Sequence, residues 1–115
     1  MHELGYSEAV VDAVERRAAG RAVARVGVRI GSAHRVLPDT FEQSFRLVAA
    51  GGVADGASTE VVVVPATAHC RECGDDFTSA DPSPACPHCG GLEVDVAGGD
   101  EVTLEWLEYR APVEA

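Results

Sequence analysis

Two closely spaced pairs of cysteines constrain the fold of this 115-residue chain more than any other feature. Each pair has two residues between its cysteines and is followed by glycine, and the four residues are Cys70, Cys73, Cys86 and Cys89. Two thiolates at this spacing chelate from a tight turn, and two such turns complete a tetrahedron of sulfur around Zn²⁺. Because four thiolates leave no open coordination position, we predict a structural zinc site.

Other interpretations of the cysteines remain open at this stage. Iron fits the same all-sulfur set, whereas a redox motif usually has a single pair. Disulfides are disfavoured because the chain shows no export signal. His69 and His88 flank the pairs. Either side chain could replace a thiolate or titrate near neutral pH, and the simpler interpretation is that both are exposed neighbours of an all-cysteine centre.

The segment around the cysteines differs in composition from the rest of the chain. Residues 66–98 are rich in Cys, Gly, Pro, Asp and Ser and show almost no apolar periodicity. Such a segment cannot bury a core of its own and needs a metal ion to hold it together. We therefore predict a zinc-binding module over residues 67–97 and an α/β domain formed by residues 1–66 together with 98–115.

The remaining sequence alternates between helical and strand patterns. Apolar residues at helical spacing predict helices over residues 4–19 and 38–50. Alternating apolar and polar residues predict strands over residues 23–31 and 101–109. Residues 59–64 end in four consecutive valines, which suits a central strand covered on a face by helices.

This order of elements predicts an α+β fold. We expect a three-stranded mixed sheet packed by two helices, with a zinc-ribbon or knuckle module inserted before the last strand. A β-α-β connection within one sheet should be a right-handed parallel crossover. The last strand is expected to return from the module and pair antiparallel beside the strand at residues 59–64.

Charge and hydropathy exclude several classes of function. The formal net charge is −10, and residues 66–98 hold one Arg against six acidic residues. This composition lacks the basic surface that binding to a phosphate backbone requires, so we predict no nucleic-acid partner. No apolar run is long enough to span a membrane, and no signal peptide is visible, so we predict a cytoplasmic protein without membrane association.

The first residues offer a second metal site. The amine of Met1, the imidazole of His2 and the intervening backbone amide can form fused chelate rings around one small divalent cation. Nitrogen-rich square-planar sets of this kind favour Ni²⁺ or Cu²⁺. The simpler interpretation is a solvated histidine on a frayed end.

The sequence contains no motif that indicates catalysis. It has no glycine-rich phosphate loop with lysine, and we recognise no Ser/His/Asp or paired-carboxylate constellation. We therefore predict that the protein is not an enzyme.

Several short motifs occur in order along the chain. They are residues 1–4 (MHEL), 30–31 (IG), 49–56 (AAGGVADG), 64–70 (VPATAHC), both cysteine pairs and residues 99–101 (GDE). Together they resemble the HypA family (HybF in some organisms), whose members are nickel metallochaperones for [NiFe] hydrogenase maturation.

The resemblance implies a nickel site at the N-terminus, which would make the α/β domain the nickel-binding domain. Carried over to this chain, the ligands would be the Met1 amine, the His2 imidazole and amide, and the Glu3 amide, with the Glu3 carboxylate orienting the site. Asp39 stands where similar proteins have an acid linked to nickel handling. Its simpler role would be to cap the second helix.

The resemblance also implies a function and partners. The chain would bind Ni²⁺ as transient cargo, work with a HypB-type GTPase and deliver nickel to the large subunit of [NiFe] hydrogenase. The first alternative is a zinc-ribbon protein-interaction adaptor without a transient metal site. The second is a zinc-ribbon protein that binds nucleic acid, which the acidic composition disfavours.

Overall fold

The computed structural model describes residues 2–80 and 84–111, with side chains described from Leu4 onward. Two helices, six strands and a short 3-10 turn at Ser32–His34 make up this part of the chain. In chain order the helices and strands are α1 His2–Ala18, β1 Val23–Gly31, α2 Pro38–Ala49, β2 Ser58–Val64, β3 Ala66–Cys70, β4 Asp76–Ser79, β5 Val94–Ala97 and β6 Val102–Tyr109.

The first sheet has the strand order β2-β1-β6. Its central strand, β1, runs antiparallel to β6, because Arg110 N–H donates to the Ala22 carbonyl and Gly31 N–H donates to the Glu101 carbonyl. With the two helices, this mixed sheet confirms the predicted fold class.

The predicted strand order was wrong in two respects. The last strand pairs with β1 and not with β2, and β2 lies at an edge and not in the centre. Val62 and Val63 are accordingly 49% and 42% exposed. An apolar run predicts shielded side chains, which Val62 and Val63 do not have, and it carries no information about the strand to which each strand is hydrogen-bonded. The buried Val26 and Val28 of β1 occupy the central position instead.

The core of the first sheet lies between that sheet and the two helices. α1 and α2 pack against each other, and the rings of Phe41 and Phe45 lie 6.1 Å apart between centroids. Both rings are fully buried. Burying one side chain of this kind stabilises the folded state by roughly 1.5–3 kcal/mol. Ser7 on α1 is also fully buried, and its hydroxyl has no hydrogen-bond partner.

The other face of β1 carries a close contact between glycine and an aromatic ring. A Cβ on Gly27 would lie 2.1 Å from ring atoms of Trp106, so only glycine lets the indole lie against the strand. The Arg25 guanidinium lies 5.3 Å from the centre of this ring. Because Trp106 is the single tryptophan of the chain, its fluorescence reports on this face.

The second sheet was not predicted. Its strand order is β4-β3-β5, and both pairs are antiparallel, with His69 opposite Asp76 on one side and Asp95 on the other. β3 alternates strictly between buried and exposed residues, but its buried positions hold only Ala66, Ala68 and Cys70. Strands this short with such small inward side chains produce no recognisable hydrophobic pattern.

Contacts between Cα atoms divide the described chain into two compact units. The first consists of residues 2–29, 36–62 and 102–111, and the second of residues 30–35, 63–80 and 84–101. The first unit contains both helices. The second contains the four cysteines together with β3, β4 and β5.

Candidate metal centre

The structure brings the four predicted cysteines together. One sulfur from each residue lies within 4.8 Å of the other three. The Sγ atoms of Cys70 and Cys89 are 3.7 Å apart, and those of Cys73 and Cys86 are 3.6 Å apart. Sulfurs at 2.3 Å from a tetrahedral Zn²⁺ would be about 3.8 Å apart, whereas a disulfide needs about 2.05 Å. The four sulfurs are therefore positioned to bind one metal ion.

The two cysteine turns have the same backbone geometry. Gly74 N–H donates to the Cys70 carbonyl at 2.8 Å, and Gly90 N–H donates to the Cys86 carbonyl at 2.8 Å. Both glycines have positive φ angles, +80° and +74°, which side chains other than glycine rarely adopt. The glycine after each cysteine pair thus turns the chain so that both thiols of the pair face one point.

Backbone pairing places the first turn against the second sheet. Cys70 ends β3, where its N–H donates to the Asp75 carbonyl at 2.9 Å, and Arg71 N–H donates to the Glu93 carbonyl at 2.8 Å. Cys70 and Cys86 are buried, whereas Cys73 and Cys89 are exposed. The cluster is consequently anchored on one side and open to solvent on the other.

Side chains of the first turn also reach the segment that follows the second turn. The Arg71 guanidinium contacts Glu93 at 2.9 Å and Asp95 at 3.3 Å. The Glu72 carboxylate accepts a hydrogen bond from Glu93 N–H at 3.4 Å and lies where a Cβ on Gly91 would be. Sequence reasoning missed these contacts, because residues so far apart in the chain give no local signal. Each exposed ion pair is worth at most about 1 kcal/mol.

Without a metal ion, the thiols of Cys70, Cys73 and Cys89 have pKa values that are shifted in different directions. The backbone N–H of Cys73 lowers the pKa of Cys70 to about 7. The N–H of Asp75 lowers the pKa of Cys73, but partial desolvation of the sulfur and the neighbouring sulfurs outweigh it and raise the value to about 12. Gly91 N–H likewise lowers the pKa of Cys89, but partial desolvation of the sulfur and the Cys70 sulfur outweigh it, so the net direction is upward. Once one sulfur is ionised, the cluster resists further negative charge, which a bound cation would offset.

These pKa shifts predict proton release on metal binding. Adding Zn²⁺ to the metal-free protein at pH 7.5 should release at least about two protons per ion, from Cys73 and Cys89. Since coordinated thiolates must be deprotonated, the metal-bound state is favoured at high pH and is lost as the pH falls. Calorimetry in buffers of different ionisation enthalpy measures this release. A value below one proton per ion would contradict the prediction. Zinc-loaded protein is the control and should release no protons when more Zn²⁺ is added.

The two histidines beside the cysteines lie outside the four-sulfur group. His69 Nδ1 donates to Asp76 Oδ1 at 2.6 Å, and this hydrogen bond raises the pKa of the imidazole. The His69 side chain is about half exposed, and His88 is exposed. The Nδ1 atom of His69 is therefore already engaged by the Asp76 carboxylate.

The predicted N-terminal ligands fall largely outside what the structure describes. Met1 and the side chains of His2 and Glu3 are not among the described residues. The backbone of α1 begins at His2. The structure therefore assigns no geometry to the predicted nickel ligands.

Asp39 does not cap α2, which corrects the simpler of its two predicted roles. The N-cap residue is Leu37, which makes no side-chain cap, and Pro38 follows it. Asp39 lies in the first turn and is exposed, where a carboxylate still interacts favourably with the positive end of the helix dipole. Because proline fits the first helical position, the helix starts at Pro38, two residues earlier than it would with Asp39 as the N-cap.

The fold and the sulfur cluster define a small α+β protein with a zinc-ribbon type of metal centre. A family model described as hydrogenase/urease nickel incorporation, metallochaperone, HypA, matches residues 1–109. The chain belongs to the HypA family of hydrogenase maturation metallochaperones. No helix among the described residues is long and apolar enough to cross a membrane.

Relatives of nearly equal length support this assignment. Hydrogenase maturation factor HypA 2 of Bradyrhizobium diazoefficiens is 37% identical over 94% of this chain and 98% of its own. A hydrogenase maturation factor HypA of Geotalea uraniireducens is 35% identical over 96% of this chain and 100% of its own. The solution structure of the Ni metallochaperone HypA from Helicobacter pylori shares the fold, with a TM-score of 0.64, 23% identity and coverage of 97% and 100%.

Proposed function

We propose that this chain binds Ni²⁺ at its N-terminus and delivers it to a [NiFe] hydrogenase during maturation. The single observation that carries this proposal is the family match, which extends over residues 1–109 and so includes the opening Met-His-Glu. In this proposal the Met1 amine, the His2 imidazole and amide, and the Glu3 amide hold the ion. The Glu3 carboxylate orients the site, and Asp39 is an accessory residue.

The start of α1 supports this ligand set. The first N–H groups of a helix have no carbonyl partner within the helix. Because α1 begins at His2, the backbone amides of His2 and Glu3 are among these groups. An amide that donates no helical hydrogen bond can lose its proton to a metal ion without breaking the helix. Nickel can then enter and leave while the core of the domain stays folded, which suits transient cargo.

We propose that zinc fills the four-sulfur site permanently and that the two metals occupy separate domains. Residues 67–97 would be the zinc module, and residues 1–66 with 98–115 the nickel-binding domain. Four thiolates saturate a tetrahedral ion, so the zinc has no position for a reacting molecule. This closed coordination supports a structural role and a protein that is not an enzyme.

The proposed partners follow from the family. A HypB-type GTPase would work with this chain, and the large subunit of [NiFe] hydrogenase would receive the nickel. The net charge of −10 argues against a nucleic-acid partner. Four thiols that must stay reduced to bind metal suit the cytoplasm, where we propose the protein works.

A nickel titration tests the proposal. We expect about one Ni²⁺ per chain, with a square-planar absorption band. His2→Ala, or one extra residue before Met1, should weaken binding about a hundredfold or more by removing a ligand or displacing the amine. Bound zinc should remain unchanged in both variants. His88→Ala is the matched control, since it removes a histidine elsewhere and should leave nickel binding as it was.

The outcome also separates the proposal from its alternative. If nickel binding survives both His2→Ala and the extension, the N-terminal site is refuted. A protein that binds no nickel in any form, yet requires its four cysteines to bind partner proteins, would be the zinc-ribbon adaptor.

A further inference from the structure

One edge of the first sheet is open along β2. The backbone N–H of Thr59 donates to Oε1 of Glu42 at 3.1 Å and so points away from the neighbouring strand. The N–H and C=O groups of alternate strand residues point in the same direction, so those of Val61 face the same edge. In the sheet that the described residues form, β2 has β1 as its single neighbour. Val61 therefore presents a backbone donor and an acceptor at an unpaired edge.

This edge is only partly protected against strand pairing. Proteins blunt such edges with lysine, proline, bulges or covering side chains. On the opposite edge, Arg17 Nη2 donates to the Leu104 carbonyl of β6 at 3.2 Å. β2 contains no lysine, proline or glycine, and Glu42 covers its N–H at Thr59. The side chain of Val62 is 49% exposed. An extended segment can thus approach the edge at residues 60–62.

The charge at this edge favours a basic occupant. Glu60 shares a strand face with Val62 and is 59% exposed. Its contact with Arg25 is a loose one at 3.6 Å, and Arg25 also contacts Glu108 at 3.6 Å. A second copy of the chain would bring another Glu60 and a net charge of −10 to this edge, which like-charge repulsion opposes.

We propose that the β2 edge at residues 60–62 receives an extended, basic segment of a partner protein as an added strand. Backbone hydrogen bonds to Val61 hold the segment. A lysine or arginine pairs with Glu60, and an apolar residue two positions along packs on Val62. Main-chain bonds supply affinity and the two side-chain positions supply selectivity, as in other cases of strand addition. This surface lies apart from the four cysteines in sequence and does not depend on bound nickel.

A symmetric peptide tests this surface on the full, zinc-loaded chain. The probe is acetyl-Thr-Lys-Thr-Val-Thr-Lys-Thr-amide, which places a lysine beside Glu60 in either direction when its valine lies beside Val62. In ¹H–¹⁵N spectra we expect saturable shifts centred on the amides of residues 59–62. A peptide with glutamate in place of both lysines should bind at least about tenfold more weakly. Shifts confined to other residues would overturn the proposal.

Two variants make the test specific. Val61→Pro removes the edge N–H without removing a bond to β1, a place where proline is tolerated, and should weaken peptide binding about tenfold or more. Glu60→Lys should reverse the preference between the two peptides. Glu108→Lys is the matched control, because it makes the same charge change and loses the same Arg25 contact but lies on β6.

Each contrary result has a defined meaning. If Glu108→Lys also reverses the preference between the lysine and glutamate peptides, the binding is a nonspecific charge attraction and the proposal is overturned. A dimer in sedimentation that Val61→Pro dissociates would identify a second copy as the occupant and also overturn it. If Val61→Pro fails to fold, the comparison of Glu60→Lys with Glu108→Lys still tests whether the peptide binds at the β2 edge. The nickel content of these variants should equal that of the wild type, so the result is independent of the proposed nickel site.

Discussion

Replacing Cys70 by serine should strongly weaken zinc binding and unfold the second sheet. Cys70 is fully buried and joins β3 to the four-sulfur cluster, so its loss removes a ligand and leaves a hydroxyl that binds zinc poorly. Binding of a structural zinc ion is worth about 10–16 kcal/mol in small zinc domains. The second sheet, whose inward side chains are small, has little else to stabilise it. We expect the zinc affinity to fall at least about a hundredfold.

The measurements are zinc content and amide hydrogen exchange in the full chain. Protection should disappear at residues 66–79 and 94–97 and persist in α1, α2 and β1. His88→Ala serves as the control and should keep one zinc ion per chain with native protection. If the Cys70→Ser variant binds zinc with wild-type affinity, the four-sulfur set is not the ligand set.

Replacing Gly31 by alanine should strongly destabilise the protein. A Cβ on Gly31 would lie 2.0 Å from the carbonyl carbon and oxygen of Gly99 and 2.5 Å from the Asp100 nitrogen. These are backbone atoms, and the hydrogen bonds of Gly31 N–H to Glu101 at 2.7 Å and of Ala33 N–H to Gly99 at 2.8 Å hold them in place. Neither the backbone at Gly31 nor the backbone at residues 99–100 can move without breaking these hydrogen bonds. We therefore expect a loss of about 3 kcal/mol in the free energy of unfolding.

Urea unfolding of the zinc-loaded protein measures this loss. Gly5→Ala is the matched control. Among the described residues, no atom other than those of its chain neighbours and of the α1 backbone lies within 4 Å of its Cβ position, and alanine favours a helix. That control should stabilise the protein by roughly 0.5–1 kcal/mol. A Gly31→Ala variant whose stability equals that of the wild type would show that the close approach of the two backbone segments is not required.

The helices and the strands of the first sheet were predictable because their patterns are local. The predicted helix over 38–50 corresponds to Pro38–Ala49, and the predicted strand over 23–31 to Val23–Gly31. Both contain large apolar residues at a regular period, which is the strongest secondary-structure signal in a single sequence. The strands β3, β4 and β5 were missed because alanine, threonine and cysteine carry no such signal.

The clustering of the four cysteines was predictable from their spacing. Thiolate spacing alone identifies a chelating turn, and the positive φ angles of Gly74 and Gly90 explain why each pair is followed by glycine. The contacts of Arg71 and Glu72 with the segment after the second turn were not predictable, because they join residues about twenty positions apart. The predicted nickel ligands and domain boundaries stay predictions.

The order of residues along this chain was sufficient to infer the class of fold, the four-cysteine centre and the resemblance to a family. These depend on periodicity and on spacing within a few residues, both of which are properties of the chain itself. Tertiary structure alone decided that β1 and not β2 is the central strand, that Leu37 precedes α2 in place of a capping Asp39, and that the β2 edge is open. Strand neighbours and exposed edges are set by competition between distant segments for the same hydrogen bonds and buried surface, and no local pattern records the outcome of that competition.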